Sequence, residues 1–432
     1  MARSAAAFVG GAVTLLCVTV LAGVLRAPAL AATVDVPVGD GLQVAIDEAA
    51  PGDVLRLAPG LHTGSVTVPK ALTIEGPEDR SAVVEGPGHG RVIWVQAPDV
   101  TIRNLTVRGS GLSLIDMDAA VFLDKTADRA LVERNDILDN LIGVYIWGPN
   151  DAMVRENHIV GRTDLRRSER GNGVQLWRTP GSEVIDNDVS SGRDGIFTTT
   201  SRNNIFRGNR FRDVRFAVHY MYTNDSEISD NVSTGNDVGY AIMYSDRLTI
   251  RNNVSDGDRE HGFLFNFANG SEVTGNVVRG GDKCVFIYNA NKNEFQGNLF
   301  EDCRIGIHFT AGSERNRIFD NAFIGNQTQV MYVGTRFLDW SVEGRGNYWS
   351  DNPAFDLDGD GIADTAYRPN DVVDQILWRA PAAKLLLNSP ATQIVRWAQS
   401  QFPAIHPGGV VDSAPLMAPP VVAAAGELEP QP

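Results

Sequence analysis

The sequence predicts an all-β fold, a right-handed parallel β-helix solenoid with coils of about 22 residues, and two observations predict it. First, asparagines recur from Asn135 to Asn347 at a nearly constant step. Second, a short apolar run begins about eight residues after most of them, as in Gly143-Val-Tyr-Ile-Trp147. A period in this range without helical periodicity indicates a solenoid. The marker asparagines are Asn135, Asn157, Asn187, Asn209, Asn231, Asn253, Asn276, Asn298, Asn321 and Asn347.

Each coil is expected to hold two or three short strands joined by tight bends. One strand begins at the marker itself, as in Asn276-Val-Val, and another is the apolar run that follows. Asparagine suits a bend because it tolerates left-handed backbone geometry. Stacked asparagine amides can also hydrogen-bond to one another. We therefore expect the markers to lie at bends and to pair from coil to coil.

Residues 1–32 have the pattern of a secretory signal peptide. Arg3 supplies the positive charge, an apolar stretch runs from Ala5 to Leu25, and Ala29-Leu-Ala31 suits a signal peptidase. An uncleaved membrane anchor is the alternative. The sequence thus predicts an exported protein. No later apolar run approaches the roughly 20 residues that a membrane-spanning helix needs.

Three cysteines are present, and Cys17 lies in the predicted signal. Cys284 and Cys303 lie on successive coils, a little less than one period apart, so they can come close together. In an oxidising compartment they could form a disulfide, remain two free thiols, or bind a soft metal.

The formal net charge is -15 over 432 residues, from 53 acidic and 38 basic side chains. This balance argues against a nucleic-acid partner and against non-specific capture of acidic polymers.

The rest of the chain divides into three predicted parts. The β-helix spans 33–349 and begins with a short amphipathic helix, from Leu42 to the Pro51-Gly52 break, that caps the open end of the solenoid. A C-terminal segment, 350–417, holds an Asp-rich loop and helices within 381–401, with a break at Pro390. Residues 418–432 are rich in Ala and Pro and are expected to be a disordered tail.

Two coils carry insertions, at 109–119 and 161–171, and both leave the solenoid at the same corner. Extra loops on one face of a repeat protein commonly form its binding surface. The second insertion is a candidate partner contact, or a solvated charged loop, because it contains four arginines: Arg162, Arg166, Arg167 and Arg170.

Candidate metal ligands come from the alternation of the main strand. Positions nine and eleven after the marker are apolar, so positions ten and twelve are expected to face outward. The outward positions hold aromatic, methionine and histidine side chains, and exposed patches of this kind mark interaction sites. With adjacent coils about 4.8 Å apart, imidazole and thioether ligands could converge on Cu(I). The candidate copper ligands are His219, Met221 and Met243, and further along His308 and Met331.

The alternative is that these side chains only pack, under a docked segment of the same chain. His261, which is expected to lie one coil before Cys284 in the same column, is a weaker metal candidate.

A calcium site is predicted in the Asp-rich loop. Carboxylates at alternate positions, a glycine for the sharp turn and a following carbonyl are what Ca²⁺ requires. The loop departs from an EF-hand because Tyr367 stands where the bidentate Glu would be. The candidate calcium ligands are Asp356, Asp358, Asp360, the carbonyl of Ile362, and Asp364.

Glycoside chemistry would need two carboxylates about 5 to 9.5 Å apart. The best carboxylates on offer are Asp186, Asp188 and Asp194, with Glu260 nearby, and most are turn positions that recur in every coil. The sequence therefore does not favour an enzyme.

Several segments resemble the NosD family. They are the marked coils, His219-Tyr-Met221, Ala241-Ile-Met243, Gly346-Asn-Tyr-Trp-Ser350, Asp364-Thr-Ala-Tyr-Arg-Pro369, Leu385-Leu-Leu-Asn-Ser-Pro390 and Arg396-Trp-Ala-Gln-Ser-Gln-Phe402. The coil repeat is shared with many β-helix proteins that bind or cleave sugars, so the specificity comes from the C-terminal segments.

The resemblance implies a periplasmic, non-enzymatic copper-binding protein of denitrifying bacteria. Such a protein would work with the membrane subunit of an ABC transporter, take copper from a lipoprotein donor, and support assembly of the copper centres of nitrous oxide reductase. Its C-terminal helices would dock on the transporter, and it would reach the membrane only through that partner. Two alternatives stay open: a carbohydrate-active enzyme (lyase, hydrolase or uronan epimerase) and a structural adaptor without metal.

Overall fold

The structure is a computed structural model that describes residues 31–334, 336–370, 373, 389–402 and 409–423. Most of the predicted signal peptide and the predicted helical residues 381–388 lie outside these ranges. Within them the chain is a parallel β-solenoid of about 14 turns with coils of about 22 residues. The predicted fold class is therefore confirmed.

Three long parallel sheets, one per side of the coil, build the solenoid. The first sheet contains Thr33–Val36, Val54–Leu57, Thr73–Glu75, Thr101–Arg103, Leu131–Glu133, Met153–Arg155, Glu183–Ile185, Ile205–Arg207, Glu227–Ser229, Thr249–Arg251, Glu272–Thr274, Glu294–Gln296 and Arg317–Phe319. The second sheet contains Gly60–Thr63, Ala82–Glu85, Thr106–Arg108, Asp136–Asn140, His158–Gly161, Asp188–Ser190, Arg210–Arg212, Val232–Thr234, Val254–Asp256, Val277–Arg279, Leu299–Glu301, Ala322–Ile324 and Tyr348–Trp349. The third sheet contains Val66–Val68, Ile93–Val95, Ala119–Leu123, Ile142–Trp147, Val174–Trp177, Asp194–Thr199, Phe216–Met221, Val238–Met243, His261–Asn266, Lys283–Tyr288, Ile305–Thr310 and Thr328–Val333.

Equivalent side chains of successive coils stack, because neighbouring strands in a sheet are one coil apart. In the third sheet Val218 pairs with Tyr240, and Tyr240 pairs with Phe263. All three side chains are fully buried, and the rings of Tyr240 and Phe263 stack at 4.7 Å. The inward positions thus form the apolar columns of the core.

Packing requires the glycine that opens several of the apolar runs. At Gly195, an added Cβ would lie 2.3 Å from the ring of Phe211 and 2.5 Å from the carbonyl oxygen of Ala217. A side chain there would displace both the core and the next coil.

The marker asparagines form a buried ladder along one corner. The Asn231 amide donates to Asn253 Oδ1 at 2.9 Å and to the Phe206 carbonyl at 2.8 Å. The same coil-to-coil bond recurs from Asn135 to Asn347, which confirms the predicted pairing.

The backbone geometry of this corner differs from the prediction. The residue before each marker from Asn135 to Asn321 is left-handed, as at Asp230 (φ 56°) and Asn252 (φ 55°), whereas the marker asparagine is not. The prediction that asparagine supplies the left-handed bend is therefore wrong. The asparagine is needed because its inward-pointing amide bonds the neighbouring coils.

Both ends of the solenoid are covered. The N-terminal helix Leu42–Glu48 buries Leu42 and Ile46, and Gln43 bonds the backbone of Thr67 on the edge strand at 2.8 and 3.2 Å. This helix is the predicted cap, and its Gln43 side chain supplies hydrogen-bond partners to backbone groups of the edge strand. At the other end, Asp412 accepts from the Asn347 backbone amide at 2.7 Å and ends the ladder.

The C-terminal segment contains a helix and a short strand that pairs with a strand before residue 350. The helix Pro390–Gln401 begins with Ser389 as its cap, and the strands Phe337–Asp339 and Gly409–Val411 pair in parallel. Further on, Val422 packs against an apolar stripe on the outer face of the second sheet. No helix in the described part of the chain has the length and apolarity needed to cross a membrane.

The insertions cover the outer face of the third sheet near its N-terminal end. Met117 and Leu165, one from each insertion, pack against a cluster that includes the stacked rings of Trp147 and Trp177. A 3-10 turn, Arg167–Glu169, lies in the second insertion. Three of its arginines bond within the chain: Arg162 to Asp164, Arg167 to Asp237, and Arg170 to the Leu165 carbonyl.

Candidate metal centre

Two groups of the predicted ligands lie on the outward face of the third sheet. Met221 and Met243 are direct neighbours in register, and His219 is two residues before Met221 on the same strand. The residue beside His219 on the next coil is Ala241, which contributes only a methyl group. His219, Met221 and Met243, named here the His219 cluster, therefore come together on two adjacent coils.

Asp194 anchors this cluster. Its buried carboxylate accepts from Nε and Nη2 of Arg215 at 2.8 and 2.7 Å, and from Nδ1 of His219 at 3.0 Å. Burial alone would raise the pKa of Asp194, but the hydrogen bonds from His219 and Arg215 outweigh it and hold the pKa below its usual value. The carboxylates considered for glycoside chemistry are mostly predicted to be turn positions, but Asp194 is the first residue of the strand Asp194–Thr199.

The other nitrogen of His219 has no partner among the residues that the structure describes. His219 is 8% exposed, and its imidazole contacts the rings of Phe197 and Phe216, with centroids 4.9 and 5.0 Å away. Nε2 is buried and makes no hydrogen bond. A buried acceptor left unsatisfied costs about 1 to 3 kcal/mol. A metal ion bound by Nε2 would remove this cost.

His308 and Met331, named here the His308 pair, form a second group. They are neighbours in register, and three further strand positions, Ala241, Leu264 and Phe286, separate His308 from His219 in the same column. The structure therefore does not bring all five predicted copper ligands into one site.

His261 lies on the other side of Phe286 from His308, with ring centroids 5.4 and 4.9 Å from it. Burial, with the Lys283 ammonium adding to it, lowers the pKa of each histidine to about 4. Both rings are therefore neutral at pH 7, the form that ligates metals. Nδ1 of each ring is buried without a partner.

Cys284 is not available as a ligand. It forms a disulfide with Cys303, so the free-thiol and soft-metal interpretations are wrong. In register His261 pairs with Lys283, and Cys284 points into the core. The predicted column of His261 and Cys284 does not exist, because the coil from Asn253 to Asn276 is one residue longer than the coil before it and shifts the register by one.

An aromatic ladder borders the methionines, and sequence reasoning missed it. The rings of Tyr222, Tyr244 and Phe267 stack with centroid separations of 5.0 and 5.2 Å. The ring of Tyr288 follows edge-on, 5.9 Å from that of Phe267. The first three residues have φ values of 49 to 52°, which is unusual for aromatic side chains. The sequence does contain a pattern that could have predicted this ladder, because an aromatic residue directly follows the last residue of three successive strands, at positions 222, 244 and 267.

The Asp-rich loop brings three of its predicted ligands together. One carboxylate oxygen each from Asp356, Asp358 and Asp360 lies within 4.8 Å of the others. The Asp360 amide lowers the pKa of Asp358, but the neighbouring carboxylates of Asp360 and Asp356 outweigh it and leave the pKa raised. Asp364 instead accepts from the Leu357 amide at 2.8 Å, and the Ile362 amide donates to Asp360 at 2.8 Å.

Two of the carboxylates considered for glycoside chemistry, Asp188 and Asp194, lie in different sheets. Asp188 belongs to the second sheet and is ion-paired with Arg212, whereas Asp194 belongs to the third sheet and is ion-paired with Arg215. The two cannot act as one acid and base pair.

Comparison with known proteins identifies the family. Residues 155–354 match the family model described as periplasmic copper-binding protein (NosD), and this range contains every candidate copper ligand. The chain is 42% identical over 377 residues to the probable ABC transporter binding protein NosD of Stutzerimonas stutzeri, covering 84% of this chain and 86% of that protein. It is 39% identical over 375 residues to the protein of the same description from Pseudomonas aeruginosa, covering 84% and 87%.

Among solved structures, DFA-IIIase from Arthrobacter chlorophenolicus A6 in complex with GF2 matches with a TM-score of 0.47 and 16% identity, over 66% of this chain and 88% of that chain. Likeness at this level says nothing about function. The NosD family is periplasmic, which confirms the predicted compartment. The chain belongs to the NosD family of periplasmic copper-binding proteins.

Proposed function

We propose that this protein binds Cu(I) at the His219 cluster and passes the ion on for assembly of the copper centres of nitrous oxide reductase. One observation carries the choice of site. The buried Nε2 of His219 has no partner, and two thioethers in register lie on the same face. Imidazole with soft thioether sulfur selects Cu(I) over zinc, magnesium or calcium. The residues therefore fit copper as a cargo.

The His308 pair is proposed as a second copper site. It also combines a neutral imidazole with a thioether, and Nδ1 of His308 is buried without a partner. It has a single methionine, whereas the His219 cluster has two. We expect the weaker binding at the His308 pair.

The proposed partners are the membrane subunit of an ABC transporter, a copper-donating lipoprotein and nitrous oxide reductase. The two relatives are named ABC transporter binding proteins, which supports the first of these. The helix Pro390–Gln401 is our proposed transporter contact, because Ile394, Trp397 and the following Phe402 are all more than half exposed. A cluster of exposed apolar side chains such as this one marks an interaction site.

A non-enzymatic role is part of this proposal. A sugar-cleaving enzyme would need a pair of carboxylates, but Asp188 and Asp194 belong to different sheets and each is ion-paired with an arginine. The structural adaptor remains the alternative, and it differs from our proposal in having no affinity for copper.

The test is an anaerobic Cu(I) titration of the mature protein against a competing chelator. The variant His219→Ala/Met221→Leu/Met243→Leu is expected to weaken the tightest binding by tenfold or more, which is about 1.4 kcal/mol. The matched control is His158→Ala/Met153→Leu, which removes the same residue types from the second and first sheets. It should leave the affinity unchanged.

Equal affinity in the triple variant and the wild type would overturn the site assignment. A wild-type protein without Cu(I) affinity would favour the adaptor.

A further inference from the structure

The hydrogen bonds around Asp194 fix which nitrogen of His219 is free. The Asp194 side chain is about 2% exposed, and both of its oxygens face the guanidinium of Arg215 in a bidentate pair. A carboxylate in such a pair is ionised and can only accept hydrogen bonds. Nδ1 of His219, 3.0 Å from Asp194, must therefore carry a proton.

The consequence falls on Nε2. In a neutral imidazole one nitrogen donates and the other accepts, so a protonated Nδ1 leaves the lone pair on Nε2. Phe197 and Phe216 pack against the ring, which hinders its rotation. The buried, unpartnered nitrogen is thus the one that can act as a ligand.

Within the described part of the chain, no carboxylate is hydrogen-bonded to either of the other two histidines of this sheet, His261 and His308. In His261 and His308 the unpartnered buried nitrogen is Nδ1, the nitrogen that in His219 is bonded to a carboxylate. Carboxylates that bond the far nitrogen of a ligating histidine orient the ring and raise its basicity, and their removal typically lowers metal affinity about 10- to 100-fold.

We propose that Asp194, itself held by Arg215, is a positioning residue that presents Nε2 of His219 as the copper ligand and makes the His219 cluster the tighter of the two sites. This inference rests on the proposed function. The carboxylate comes from the coil before His219, since Asp194 pairs in register with Phe216 at the start of the strand that carries His219.

The test compares Asp194→Asn with the wild type in the same Cu(I) titration. The variant is expected to bind at least tenfold more weakly. Arg215 is 30% exposed, so it can reach solvent when its partner becomes neutral, and the melting temperature will show that the variant is folded. The control is Asp188→Asn, which also removes a carboxylate paired with an arginine but lies on the second sheet. It should bind as the wild type does.

A second readout needs no metal. Nitrogen-15 NMR of the histidine side chains in the copper-free protein should show His219 protonated on Nδ1 in the wild type, with a gain of the Nε2-protonated form in Asp194→Asn. Wild-type affinity in a folded Asp194→Asn, when the triple variant of the His219 cluster has lost affinity, would overturn the positioning role alone. Unchanged affinity in the triple variant would overturn the proposed function. Wild-type His219 protonated on Nε2 would overturn the orientation itself.

Discussion

At the scale of single residues, buried amides hold the coils together. Each marker asparagine satisfies backbone and side-chain groups that would otherwise be orphaned inside the solenoid, and Asn231 is fully buried. The recurrence of Asn at a nearly constant step made this ladder predictable. The hydrogen bond between Asp194 and His219 was not predictable, because it joins residues on different coils and depends on how two side chains lean toward each other.

Replacing one rung should therefore destabilise the protein. In Asn231→Ala the backbone amide and side chain of Asn209 lose their shared acceptor, and the Phe206 carbonyl loses its donor. The Asn209 side-chain amide keeps its bond to the Val184 carbonyl, so two buried groups are left unpaired. At about 1 to 3 kcal/mol each, we expect a loss of roughly 2 to 6 kcal/mol. Thermal denaturation followed by circular dichroism measures it.

The control for that variant is Asn150→Ala, an asparagine on the surface of the solenoid. It should change the melting temperature little. If both variants melted at the same temperature, the ladder would not contribute to stability.

At the scale of elements, strands were easier to predict than the segments between them. Alternation placed Met221 beside Met243 correctly, because the coils on either side of Asn231 have the same length. It failed at His261 and Cys284, because the next coil is one residue longer and shifts the register. The position of the two insertions over Trp147 and Trp177 could not be predicted, since loop paths depend on contacts that have no sequence period.

The Asp-rich loop is an element whose chemistry can be tested separately. We propose that it binds Ca²⁺, because three carboxylates converge, and two of them, those of Asp360 and Asp356, raise the pKa of the third, Asp358, despite the Asp360 amide. Sites of this kind outside cells bind with Kd values of about 0.1 to 1 mM. At about 10 mM Ca²⁺ the gain in free energy of unfolding should be about 1.4 to 2.7 kcal/mol.

The change is measured by thermal denaturation with and without Ca²⁺, alongside calorimetric titration of the ion. Asp358→Asn should abolish both signals, and Mg²⁺ at the same concentration should give neither. A heat of binding that persists in Asp358→Asn would place the ion elsewhere.

At the scale of the whole molecule, the solenoid is a means of arranging side chains in straight columns. A ligand set that spans two coils is held by the same register that builds the sheet, and the disulfide between Cys284 and Cys303 ties two further coils together. The fold follows from the repeat and was predictable for that reason. The ligand set depends on single positions in the repeat. The sequence supplied these candidates already divided into two groups, and the binding of copper by either group stays a prediction.

The central claim is that copper binds on the outward face of the paired strands Phe216–Met221 and Val238–Met243. Crystals of the Cu(I)-loaded protein, with data collected on both sides of the copper absorption edge, test it most directly. We predict that the strongest anomalous peak lies against Nε2 of His219 and the sulfur atoms of Met221 and Met243. A strongest peak anywhere else, or no peak on the third sheet, would contradict the assignment.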